Sequence, residues 1–326
     1  MIERGDTMKN NIGFDYLNPY EWMDKIGKFD PLIITIAING GVQGKEANPA
    51  IPETPDEIAA SSYDAYNAGA SIVHIHGRDP KCLYKNSGET EVYQEINCKV
   101  RYKCKDIIIN NTTGGGPTTT AEDRMRILDA CPEMASLNLG PDMTRFRLKT
   151  RPEPLKHPHE GLLFDECMPA TYSSIEKLAA TMKEKEIKPE MEIYHPGQYW
   201  VSQELIKQGL LKPPYLFQYI MGYQTSSYPT PKNLINLVEQ LPENSVFSAV
   251  GIGKYQWMMT TLSIILGGNV RVGLEDNVYM DKGVKLRNNM EAVEKIVRIA
   301  RELGREIATP VQAREMLNIS QIPRKY

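Results

Sequence analysis

Long hydrophobic runs, basic tracts, cysteine and histidine are all scarce in this sequence, and each scarcity excludes something. The longest apolar stretches, Leu32–Ile38 and Leu262–Leu266, fall well short of the roughly 20 residues that a bilayer-crossing helix needs. The opening MIERGDTMKNNIGFDY lacks the apolar segment of a secretory leader. The formal charge is −3 and no Lys/Arg run forms an arm, so neither nucleic acid nor a membrane is an expected partner. The five cysteines, Cys82, Cys98, Cys104, Cys131 and Cys167, are odd in number and irregularly spaced, as reduced thiols are. A soluble cytoplasmic protein is the expectation.

What is present is ample apolar material in a repeating order. Hydrophobic residues make up 41% of the 326, enough for two ordinary domains or one α/β barrel. Residues 1–30 are polar and aromatic without a period and read as an N-terminal extension. From Pro31 onward, short β-branched runs alternate with helical patterns. The strand candidates are Leu32–Ile38, Ser71–His76, Asp106–Asn111, Met134–Leu139, Glu190–Tyr194, Tyr215–Met221, Val246–Val250 and Val270–Leu274. A helical pattern follows each; the first starts at Thr54-Pro55-Asp56-Glu57, a cap, then Pro, then acids. Strict alternation implies parallel strands joined by crossover helices. Eight such units predict a (β/α)8 TIM barrel filling residues 31–326 as one catalytic domain. Gly140–Ala170, rich in Pro, His and Arg, breaks the rhythm and reads as an excursion after strand 4, over the barrel mouth or into a subunit contact.

Barrel active sites form at the C-terminal strand ends, and polar residues gather there. Two of the five histidines stand in His74-Ile75-His76, at the end of the second strand. Residues two apart on a strand share a face, so this is either a hydrogen-bonded core pair or a pair of metal ligands. Glu275, at the end of the eighth strand, is the best third ligand, because that strand closes next to the first. Two imidazoles and one carboxylate leave a coordination position open, the composition of catalytic zinc sites, although Mn²⁺, Fe²⁺ or Co²⁺ would also be accepted. Arg271 faces the barrel interior and requires an anion. Asp276 would point away from it on an extended strand, so it is either beyond a turn, where the Arg keeps it ionised as a base, or only a helix cap. Thr112-Thr113-Gly114-Gly115-Gly116 follows the third strand and reads equally as a flexible turn or a carboxylate cradle. Ser136 and Asn138 face one way and offer neutral donors. His195 lies at the correct end to line a pocket, whereas His157 and His159 sit in the excursion as solvated loop residues.

Assembled, these segments resemble the β-keto acid cleavage enzymes. The carriers include Pro52-x-Thr54-Pro55-x-Glu57-Ile58, His74-x-His76-x-Arg78, Thr112-Thr113-Gly114-Gly115, Pro132-Glu133-Met134-Ala135-Ser136-Leu137-Asn138, Arg271-Val272-Gly273-Leu274-Glu275-Asp276-Asn277 and Ala308-Thr309-Pro310. The resemblance implies a homotetrameric TIM barrel with zinc on His74, His76 and Glu275, and Asp276 as base steered by Arg271. It implies Thr112, Thr113, Gly114, Ser136 and Asn138 around the substrate. The implied reaction condenses a β-keto acid with the co-substrate acetyl-CoA, releasing acetoacetate and a new acyl-CoA. Alternatives are a metal-dependent retro-aldol or retro-Claisen lyase that ignores acetyl-CoA, and a non-catalytic metabolite-binding barrel. Three departures alter the pocket. Gly40-Gly41-Val42-Gln43 lacks the carboxylate that such enzymes offer an amino-bearing substrate, so a non-cationic tail is expected; Gly77 replaces a bulkier residue; and Thr225-Ser226-Ser227 replaces a Gly-rich loop.

Overall fold

The computed structural model describes residues 18–83, 85–114 and 119–326. Residues 1–17 of the extension, and Gly115 and Gly116 of the glycine loop, lie outside the described residues. The strands are β1 Ile34–Ala37, β2 Ile72–Ile75, β3 Ile108–Asn111, β4 Met134–Asn138, β5 Asp142–Leu148, β6 Leu162–Met168, β7 Lys188–Ile193, β8 Tyr215–Met221, β9 Ser245–Gly251 and β10 Asn269–Val272. The helices are α1 Pro19–Lys25, α2 Pro55–Ala68, α3 Thr90–Lys103, α4 Ala121–Asp129, α5 Tyr172–Glu184, α6 Tyr199–Lys207, α7 Pro231–Glu239, α8 Gln256–Ile265, α9 Asn289–Glu302 and α10 Pro310–Met316. Of these ten, all except β5 and β6 close into one parallel barrel, in the order β1-β2-β3-β4-β7-β8-β9-β10 and back to β1, while Tyr279–Asp281 and Val284–Lys285 pair as a separate small antiparallel ribbon. This is the (β/α)8 barrel that the alternation predicts. Two helices escaped the sequence pattern, α1 inside the extension and α10 after the last crossover.

Local chemistry explains the framework. The Thr54 and Glu57 side chains satisfy each other's backbone N–H groups and start α2. The barrel strands β1 to β4 are buried throughout, which is why they read as mainly apolar segments rather than as an alternation of apolar and polar residues, with polar residues concentrated toward their C-terminal ends. At the N-terminal end of the barrel, Arg314 and Arg101 clamp opposite oxygens of buried Glu133 at 2.6 and 2.7 Å. A paired cluster on that face serves stability. The excursion is an antiparallel hairpin, β5 with β6, registered from Asp142 opposite Met168 to Leu148 opposite Leu162. Its inward row lines the cavity at the other end of the barrel. Arg151 ties it down, holding Glu46 and Glu53 of the loop after β1 at 2.7 Å each.

Candidate active site

Strand β2 carries His74 into the barrel mouth, and His76 follows one residue past the strand's end. Both are buried, and their rings lie 5.3 Å apart. The segment is clamped to the loop after β1: Asn39 donates to the His76 carbonyl at 2.9 Å and accepts from its N–H at 3.2 Å. The buried Arg78 guanidinium donates to the carbonyls of Asn39, Gln43 and Leu83 at 2.6 to 2.7 Å. Gly77 has a steric reason, since a Cβ there would lie 2.9 Å from the Tyr93 ring.

The opposite half comes from the end of β10. Gly273 has φ +146°, and a Cβ would stand 2.0 Å from the Ala37 carbonyl oxygen; only glycine permits that turn. The chain folds back, with the Asp276 and Asn277 N–H groups both donating to the Gly273 carbonyl. Asp276 thereby returns to face Arg271, which donates to its two carboxylate oxygens at 3.0 and 2.9 Å. The same guanidinium also donates to Glu275 and reaches Glu192 at 3.4 Å.

His74, His76 and Glu275 bring their ligand atoms within 4.8 Å of one another. Glu275 Oε1 lies 3.7 Å from His74 Nε2 and 3.2 Å from His76 Nε2. The residues fit a divalent cation on three counts. Burial, reinforced by the Arg271 charge, holds His74 well below the usual imidazole range, so it presents a lone pair. Burial pushes Glu275 up, but Arg271 and then the two imidazoles outweigh it and keep the carboxyl well below its ordinary value. Its Oε2 is buried without a hydrogen-bond partner, an atom placed to coordinate rather than to accept a proton. His76 Nδ1 lies 2.8 Å from Asn86 Oδ1, a contact that fixes the tautomer with Nε2 free to bind metal.

A cavity of about 790 Å³ opens over this cluster and takes in His74, His76, Glu275, Arg271, Asp276, Thr112, Gly114 and Asn138. Thr113 and Ser136 stand behind its wall, committed to each other. The Thr113 N–H donates to Ser136 Oγ at 2.9 Å, and its hydroxyl donates to the Ser136 carbonyl at 2.6 Å. His195 does not line the cavity. Alternation turns Glu192 and Tyr194 toward the cavity and leaves His195 exposed. His157 and His159 likewise stay outside the cluster.

Four contributors escaped sequence reasoning: Glu192, Tyr194, Arg124 and Asn86. Burial pushes Glu192 up to about 8, against the pull of Arg271 and with the help of Glu190 and Glu275, and Asn138 donates to it at 2.7 Å. Asp276 is pushed up to about 6, chiefly by burial and further by Glu275, while Arg271 opposes. Burial likewise lowers Arg124 on the cavity wall, partly offset by Tyr194 and Glu192. The Glu-x-Glu spacing in Glu190-Met191-Glu192 was the available signal for Glu192, since alternate acids on a barrel strand must both point inward or both outward.

Comparison with known proteins bears on this geometry. Residues 31–319 match the family described as beta-keto acid cleavage enzyme. The chain is 37% identical over 292 residues to the 3-keto-5-aminohexanoate cleavage enzyme of Fusobacterium nucleatum, covering 90% of this chain and 99% of that one. It is 29% identical over 310 residues to the 3-dehydrocarnitine:acetyl-CoA trimethylamine transferase of Rhizobium meliloti, covering 89% of this chain and 97% of that one. Among solved structures, apo ObcA superposes with a TM-score of 0.66 at 20% identity, over 83% of this chain and 66% of that one, a likeness of fold. The chain therefore belongs to the beta-keto acid cleavage enzyme family, enzymes that break carbon–carbon bonds with the help of an acyl-CoA.

Proposed function

We propose that this protein is a zinc-dependent β-keto acid cleavage enzyme that condenses a β-keto acid with acetyl-CoA and releases acetoacetate and a new acyl-CoA. The observation that carries the reading is the Arg271–Asp276 pair set beside the His74, His76 and Glu275 cluster on one cavity wall. The acetyl-CoA named for the Rhizobium relative supports the co-substrate. When bound, the cation supplies a Lewis acid that acidifies the carbon between the substrate's keto and carboxylate groups. Asp276 is the base: at about 6 it is ionised at neutral pH yet more basic than an ordinary aspartate. Arg271 aims it and keeps it charged. Thr112 offers a neutral donor to the substrate carboxylate; Asn138, on the same wall, commits its amide hydrogens to Glu192 and Tyr194 and so positions Glu192; and Glu192, which holds its proton to about 8, can donate to a developing oxyanion. Asp276 takes the α-proton at the start and returns it at the end. Between those transfers one carbon–carbon bond forms to the acetyl carbonyl, one breaks at the original keto carbon, and CoA sulfur passes from the acetyl group to the departing acyl group.

The test is stoichiometric. Zinc-loaded protein is incubated with a panel of β-keto acids, with and without acetyl-CoA, and free acetoacetate and acyl-CoA are measured. Equal amounts of both, formed only with acetyl-CoA, are expected. Cleavage that proceeds without acetyl-CoA moves the assignment to a lyase. Binding of keto acids with no turnover on any of them moves it to a metabolite-binding barrel.

A further inference from the structure

The end of the barrel opposite the metal cluster carries a second cavity, of about 650 Å³, that the catalytic reading does not use. Its walls are the starts of β4 and β7, the loop before β8 and the C-terminal segment after α10. Ile187, Leu210, Ile319 and Ile322 give it an apolar side. The remainder is mainly cationic: Lys183, Lys188, Lys212, Arg324 and Lys325 line it, against the acids Glu133 and Glu186.

Neither acid neutralises this charge. Glu133 has both oxygens occupied. Arg314 and the Arg324 N–H donate to one, at 2.6 and 3.0 Å, and Arg101 and the Ile109 N–H donate to the other, at 2.7 and 3.0 Å. Glu186 is exposed and, among the described residues, forms no ion pair with a cation of the cavity. Lys185, which does not line the cavity, shows the ordinary alternative: Asp129 lies 3.0 Å from its Nζ.

Lys188 is where the imbalance is sharpest. It is the first residue of β7 and half-buried, and its Nζ donates to the Lys212 and Pro214 carbonyls at 3.1 and 2.6 Å. An ammonium group has three donors, so one is left over, and two carbonyl dipoles do not cancel a full charge. Burial pushes Lys188 down to about 8, with no charged group of the described residues opposing the shift. A desolvated cation without a counter-ion is destabilising, and an anion in the cavity would relieve it. The Arg324 guanidinium is committed to the carbonyls of Cys131, Lys185 and Glu186. The cations available to a ligand are therefore ammonium groups, compact point charges that suit phosphate, rather than the fork that suits carboxylate. The apolar side and the volume leave room for an organic body of small-molecule size.

We propose that this second cavity binds an organic phosphate, with the phosphate group on Lys188 and Lys212 and an apolar body against Leu210 and Ile319. The site lies apart from the chemistry and does not depend on the β-keto acid reading.

The experiment titrates the full chain with phenyl phosphate, inorganic phosphate and phenol. Binding is read as Kd by calorimetry, and as protection of single lysines from acetic anhydride by mass spectrometry. Phenyl phosphate is expected to bind more tightly than inorganic phosphate, and phenol more weakly than either. Phenyl phosphate should slow acetylation of Lys188 and Lys212, while Lys149, which lines the active-site cavity, reacts at an unchanged rate. Lys188→Met should raise the Kd for phenyl phosphate by at least about tenfold, the equivalent of one charge-assisted hydrogen bond. Should that variant fail to fold, Lys212→Ala, which trims an exposed side chain, decides: its Kd must rise and an unchanged value overturns the proposal. Failure of the wild type to bind phenyl phosphate, or binding that protects Lys149 and not Lys188, also overturns it. Equal affinity for inorganic and phenyl phosphate overturns the assignment of an organic body.

Discussion

Arg271 grips Asp276 with two parallel hydrogen bonds, 3.0 and 2.9 Å long, while the same guanidinium touches Glu275 on the metal side. One cation thus serves two carboxylates with different tasks, and their environments separate them: Glu275 is held well below its ordinary value and Asp276 is pushed up to about 6. Pairs of acids driven apart in this way are the usual mark of divided roles.

The division predicts the behaviour of Asp276→Asn. The amide keeps the shape and removes the proton acceptor. Acetoacetate release should fall by roughly 10²- to 10⁴-fold, while metal content by elemental analysis stays at the wild-type level. Loss of metal together with activity would place Asp276 among the ligands and remove it as the base.

Asn86 has a role that activity alone would not reveal. It contacts His76 Nδ1 at 2.8 Å and touches no other ligand of the cluster. Removing such an outer partner leaves the ligands in place but frees the ring, and metal affinity typically weakens about 10- to 100-fold. Asn86→Ala should therefore bind zinc more weakly in a chelator-competition titration, with turnover restored at high zinc. His74→Ala, which removes a ligand outright, should not be restored.

Gly273 tests how the site is assembled. Its left-handed backbone and the 2.0 Å approach of a would-be Cβ to the Ala37 carbonyl oxygen leave no room for alanine. Gly273→Ala must move either β1 or the turn that carries Glu275 and Asp276. A loss on the order of 1–3 kcal/mol from strain at the turn is expected, read as a lower urea midpoint, accompanied by loss of metal binding. Unchanged zinc affinity would show that the turn is more pliable than its geometry implies.

The sequence disclosed those parts of the site whose residue types are conspicuous where they stand. His74 and His76 end an apolar strand, and Arg271 is a charge in a barrel interior, so each demanded an explanation. Eight buried strands were legible because fully buried parallel strands have no competing pattern. Glu192 was hidden because an acid alternating with apolar residues reads as well for a solvated strand face. Arg124 was hidden inside the charge run Glu122-Asp123-Arg124-Met125-Arg126, indistinguishable from an exposed helix face. Asn86 and Asp142 come from loop and excursion segments, whose approach to the site is decided by tertiary contacts such as Arg151 with Glu53. His195 shows the converse: correct placement along the chain with the wrong parity along the strand.

Glu192 allows a test by pH with a definite sign. Its carboxyl is pushed up to about 8 by burial, whereas in the unfolded chain it titrates near its ordinary value of 4.5. The folded state therefore holds the proton more tightly than the unfolded one. Its favourable contribution is complete below about pH 4.5 and is lost as pH rises through about 8. Gln has the shape of the protonated acid and cannot ionise, so Glu192→Gln lacks this dependence. The Tm difference between Glu192→Gln and wild type, at constant zinc, should move in favour of the variant by several degrees between pH 5 and pH 9, a shift on the order of a few kcal/mol at most. Other groups titrate equally in both proteins and cancel in the difference. A Tm difference that stays flat across this range would mean that Glu192 is already ionised at neutral pH, paired with Arg271, and unable to donate to an oxyanion.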